Sequence, residues 1–71
     1  MRIEEKRKEW RIYFSTRREL LTFEREFRKR YKMCNVDISQ VDDGKEILWI
    51  QKNEKINRKQ IEDLASFLML I

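Results

Sequence analysis

The 71-residue sequence contains no histidine and no proline, and only one glycine and one cysteine. Each absence excludes something. Without histidine the chain lacks the commonest general base near neutral pH and the commonest metal ligand. With Cys34 as the only thiol, one chain cannot assemble a tetrahedral zinc site or a Cys–His or Ser–His nucleophile. A single glycine, Gly44, rules out a Gly-rich phosphate loop. Cys34 has no partner for an internal disulfide. A lone thiol behind the charged N-terminus MRIEEKRKEW, which is no secretory leader, sets the expectation at a reducing compartment, the cytoplasm. No apolar run approaches the ~20 residues of a membrane helix. The expectation is a single domain over residues 1–71 with no enzymatic activity, no cofactor, no metal and no small-molecule substrate. Any catalysis would rest on carboxylates, Lys, Arg and Tyr.

Charge, in contrast, is plentiful: 42% of the residues are Asp, Glu, Lys or Arg, with a net charge of +4. The distribution is uneven. Residues 1–32 hold twelve Lys or Arg against six Glu, and residues 33–71 hold five against seven acids. A basic half points to a polyanion or an acidic protein partner. A solvated, charge-rich surface explains the same composition. So short a chain also has a small core and marginal stability.

Periodicity defines five elements. EWRIYFS (9–15) alternates Trp10, Ile12 and Phe14 with Arg11, Tyr13 and Ser15, the pattern of a half-buried strand. Thr16 and Glu19 then have capping-box spacing. Leu20, Phe23, Phe27 and Tyr31 follow at helical spacing. That helix is expected to end near Lys32–Met33, with Asn35 in the left-handed closing conformation. NVDISQV (35–41) alternates again. Asp43-Gly44 before EILWIQK (46–52) is a hairpin signal. Asn57 and Gln60 form a second capping-box pair, and Ile61, Leu64, Ala65, Leu68 and Ile71 make the stripe of a closing helix. Residues 1–8 are expected to be a loose basic lead-in.

The fold class is therefore α+β, in the order βαββα. A right-handed crossover and the continuous apolar run Ile47–Ile50 put the third strand in the middle. The result is a three-stranded sheet of order 1-3-2 with both helices on one face. The layout resembles a ferredoxin-like split βαβ truncated by its last strand, a likeness of architecture carried by no motif. The RNA-recognition module shares part of this layout, but KEILWIQK lacks its Gly-and-aromatic signature.

Three features invite a partner. The sheet face away from the helices would carry Arg11, Tyr13, Ile47 and Trp49, with Asp37, Ser39 and Gln51. Aromatics beside a cation suit either protein interfaces or stacked bases. On a helical wheel Arg17, Arg18, Arg25, Arg28, Lys29 and Lys32 share one sector of the first helix, with Leu21 among them. The run SFLMLI adds apolar residues at 66–71. Two functions compete. One is a protein-binding regulator that self-associates, as a homodimer through the sheet face or the C-terminus, and presents basic residues to an acidic partner. The other is a nucleic-acid-binding accessory protein using the basic ridge and a Tyr13/Trp49 platform. The first is preferred, because a net +4 is modest for a phosphate binder and no residue reads base identity.

Overall fold

The computed structural model describes residues 1–40 and 46–70. Six elements follow one another: β1 (Arg2–Glu5), β2 (Glu9–Phe14), α1 (Arg17–Arg30), β3 (Val36–Gln40), β4 (Glu46–Gln51) and α2 (Arg58–Phe67). The strands form one sheet of order β1-β2-β4-β3, antiparallel at every pairing. The expected order of three strands is present as β2-β4-β3, with the apolar run at the centre. A four-stranded sheet replaces the expected three-stranded one, because residues 2–5 form an edge strand instead of belonging to a lead-in. A βαββαβ chain would end in a strand beside its first; here an N-terminal strand takes that edge, so the sheet is not truncated there. One apolar side chain suffices for β1. Ile3 lies opposite Ile12 and packs against the core, while Arg2 and Glu4 meet Tyr13 and Arg11 on the other face.

The core lies between the sheet and the helices. Trp10, Ile12 and Phe14 of β2, Leu48 and Ile50 of β4, and Leu20, Phe23 and Phe27 of α1 are buried together. Ile56, Ile61, Leu64 and Ala65 close it from the α2 side. The rings of Phe14, Phe23, Phe27 and Tyr31 follow one another at centroid separations of 5.5, 6.0 and 4.8 Å, within the range of favourable aromatic contact. This stack fixes α1 over β2 and β4 and decides which of its faces looks outward.

The helix ends differ in part from expectation. Asn57 caps α2 with both halves of the capping box formed. At α1 only half of the box forms: Thr16 Oγ1 accepts from the Glu19 N–H at 3.2 Å, and the Glu19 carboxylate turns to the Thr16 hydroxyl. Helix α1 ends at Arg30, with Tyr31 as its C-cap, and Asn35 does not take a left-handed conformation. Among the described residues the left-handed one is Met69, at φ 61°. The N–H of Leu70 bonds Ala65 O at 2.8 Å and that of Met69 bonds Ser66 O at 3.0 Å. This is the Schellman closure, in a position that usually holds glycine. It turns Leu68 and Leu70 onto the core and leaves Phe67 and Met69 exposed. The helix therefore stops short of the expected course: Leu68 packs inward as the stripe predicts, and Leu70, outside the stripe, joins it. The Asp43-Gly44 turn and Ile71 lie outside the described residues.

Candidate functional site

Strand register builds the first candidate. Arg11 stands opposite Trp49, and Trp49 opposite Asp37; Tyr13 stands opposite Ile47, and Ile47 opposite Ser39. All six lie on the sheet face turned away from the helices, because side chains alternate along a strand and Ile12, Leu48 and Ile50 fill the helix side. Arg11, Tyr13, Ile47 and Trp49 are thus brought together as the alternation predicts.

What they form is a network satisfied from within. The Arg11 guanidinium lies 4.3 Å from the Trp49 ring centroid and donates to Glu9 at 2.7 Å. Trp49 donates its indole N–H to Ser39 at 2.6 Å. Arg2 covers the Tyr13 ring at 4.4 Å, and the Tyr13 hydroxyl donates to Glu4 at 2.8 Å. That hydrogen bond, aided by Lys6, Arg2 and Arg11, holds the Glu4 carboxyl below its ordinary range. The bond to Glu9 raises the pKa of Arg11 further, so its charge is permanent. Ile47, surrounded on this face by Tyr13, Ser39 and Trp49, is only 4% exposed. The sheet's second apolar face is covered by its own aromatics, and those aromatics by their own arginines.

The outer face of α1 is built differently. Acids flank the basic sector on both sides: Glu24 binds Arg28 at 2.9 Å and Glu26 binds Lys29 at 3.4 Å. Arg17 leaves the sector to meet Glu46, a buried carboxylate at the start of β4, at 3.1 Å. Arg18, Arg25 and Lys32 form no ion pair among the described residues. Arg18 and Arg25 are seven residues apart, two turns on one line and about 10 Å along the axis. Between them Leu21 is 42% exposed. Arg18, Leu21, Thr22, Glu24, Arg25 and Arg28 line an open depression of about 560 Å³. The arrangement offers an apolar contact between two uncommitted guanidinium groups, which fits a carboxylate-bearing amphipathic surface.

Several features of these surfaces are not legible from residue spacing. The pairing of Arg17 with Glu46 joins residues 29 apart in sequence. The role of β1 in covering Tyr13 depends on a strand with one apolar residue. Exposed Phe67 and Met69 follow from the α2 closure, with Arg30 lying 4.9 Å over the Phe67 ring. Among the described residues, no group of three His, Cys, Asp or Glu side chains is placed to hold a metal ion. Among them also, no helix is long and apolar enough to cross a membrane. No protein family, no curated protein and no solved structure gave a match to this chain.

Proposed function

We propose that this chain is a small non-enzymatic docking protein that binds an acidic, amphipathic segment of another protein through the outer face of α1. The observation that carries the reading is Leu21, exposed on a helix between Arg18 and Arg25, neither of which has an ion-pair partner among the described residues. A partner helix with an apolar residue flanked by carboxylates about two turns apart would bury Leu21 and pair both guanidinium groups. Arginine is among the residues enriched at the energetic centres of protein interfaces, burying Leu21 would remove apolar surface from water, and the net positive field of residues 1–32 would speed encounter with an acidic partner.

The nucleic-acid reading draws on the same cations. Its second support, the Tyr13/Trp49 platform, is weaker, because each ring already carries a guanidinium on one face. An NMR titration separates the two. A helical peptide with Glu seven residues apart and Leu between them should shift amides from Arg18 to Arg28, and Leu21→Ala should weaken binding about tenfold or more, the effect of an interface anchor. Single- or double-stranded DNA that shifts the same amides at low salt, unaffected by Leu21→Ala and lost at high salt, would establish the nucleic-acid reading instead.

A further inference from the structure

The second surface lies at the edge of the sheet. Strand β3 has one neighbour, β4, so its other edge is open among the described residues. The pairing pattern fixes which backbone groups that edge presents. Gln51 donates its N–H to Asn35 O at 2.9 Å. In an antiparallel ladder hydrogen-bonded positions alternate, so Asp37 and Ser39 bond β4, and the N–H and C=O groups of Val36, Ile38 and Gln40 point outward. Helix α1 packs over β2 and β4. Val36 and Ile38 therefore sit at the margin of the core, packed against it but only half-buried. A five-residue edge with outward backbone groups and two half-covered apolar side chains is an incomplete piece of sheet.

One of those outward groups is occupied. The Ile38 N–H donates to Oδ1 of its own neighbour, Asp37, at 2.9 Å. The carboxylate thus covers the central donor of the edge. We propose that this edge pairs with the same edge of a second copy, giving a two-fold dimer with one continuous eight-stranded sheet, and that Asp37 sets the concentration at which it does so. The strand is self-complementary. An antiparallel pair centred on Ile38 places Ile38 opposite Ile38 and Val36 opposite Gln40 twice, all at outward-bonding positions. It sets Asp37 opposite Ser39, so no like charges face each other across the pair. Both helix layers then lie on the same side of the joined sheet, and Val36 and Ile38 of each copy gain the other's as cover. The cost is release of two Asp37 carboxylates from two Ile38 N–H groups, both at the centre of the pairing register. The inference is independent of the α1 reading, because it uses the backbone edge of β3 and no residue of that helix.

The test is the mass of the protein against concentration, by sedimentation or light scattering. Asp37→Thr keeps a strand-forming residue and removes the carboxylate. It should lower the dimer dissociation constant about tenfold or more relative to the wild type, the value of roughly one hydrogen-bond competition lifted per copy. The Ile38 amide of Asp37→Thr should gain exchange protection as the dimer forms. Adding Val36→Pro, which removes an outward N–H at the first residue of the strand, where proline is tolerated, should return the variant to monomer with unchanged circular dichroism. Equal masses for wild type and Asp37→Thr at every concentration up to millimolar overturn the proposal. So does a dimer of Asp37→Thr without protection at Ile38, which would place the contact elsewhere even if the proline variant failed to fold.

Discussion

Arg11 on the open face of the sheet and Arg25 on the outer face of α1 carry the same group on surfaces of similar composition. Their surroundings are opposite. Arg11 lies over Trp49 and binds Glu9, Trp49 binds Ser39, Arg2 covers Tyr13, and the apolar residue among them, Ile47, is buried. Arg25 has no ion pair among the described residues, and the apolar residue beside it, Leu21, is exposed. The difference comes from the secondary structure beneath. A four-stranded sheet places residues from different strands about 5 Å apart in two directions, so opposite charges and aromatics from distant parts of the chain can cover one another. An isolated helix face offers only neighbours three or four residues away. On α1 the residues at those spacings from Arg25 are Leu21, Thr22, Arg28 and Lys29, none of them acidic, and the nearby Glu24 and Glu26 pair with Arg28 and Lys29. The sheet face completes itself, and the helix face is left to a partner.

The sharpest way to break this contrast is to truncate the apolar residue in each surface. Ile47→Ala should cost about 2–3 kcal/mol, as for a buried aliphatic side chain. Leu21→Ala should stay within about 0.5 kcal/mol, as for an exposed position. Urea unfolding of both variants checks the difference, and equal losses would mean that the two faces are not differently covered. A smaller effect of opposite sign is expected at Met69, which belongs with the surfaces left open: its side chain is 87% exposed while its backbone holds a left-handed conformation. Met69→Gly should relieve that conformation and raise stability by about 0.5–1 kcal/mol. A loss instead would show that the Met69 side chain packs where the surface shows it exposed.

Much of this contrast was legible in the sequence, and the limits are instructive. The alternation of EWRIYF and EILWIQ placed Arg11, Tyr13, Ile47 and Trp49 on one face, because side-chain direction in a strand follows from parity alone. The wheel placed Arg18, Leu21 and Arg25 together for the same kind of reason. Parity says nothing about cover, however. Ile47 is exposed by parity alone, yet Tyr13 and Ser39 stand opposite it on the two neighbouring strands, Trp49 reaches across to Ser39, and only 4% of it is exposed. Strand β1 escaped because RIEE has one apolar residue, too few for a periodic signal, and its place depends on pairing with β2 rather than on local preference. The Met69 closure escaped because the usual glycine is missing there.

The arginines themselves give a smaller test. Arg11→Gln removes both the contact over Trp49 and the bond to Glu9, and should lower the urea midpoint. Arg25→Gln has no comparable interaction to lose and should leave it unchanged while weakening any acidic partner at α1. Should the two variants unfold together, Arg11 would be as idle in folding as Arg25.

The smallest effect lies in the pH dependence of the Tyr13–Glu4 bond. Glu4 is held below its ordinary value of 4.5 chiefly by the Tyr13 hydroxyl. A carboxyl with a depressed folded-state value stabilises the fold wherever it is ionised in both states, above its unfolded value. That contribution is lost as pH falls through the lower, folded value. Tyr13→Phe removes the largest cause of the depression but leaves Arg2, Lys6 and Arg11 nearby. The urea midpoint of the variant should therefore fall less than that of the wild type between about pH 6 and about pH 3, while the two lose stability in parallel from every other carboxylate. Profiles that run parallel throughout would show that the bond does not distinguish the folded chain from the unfolded one. The self-completion of the sheet face would then rest on its aromatic–arginine contacts and on the Arg11–Glu9 and Trp49–Ser39 bonds.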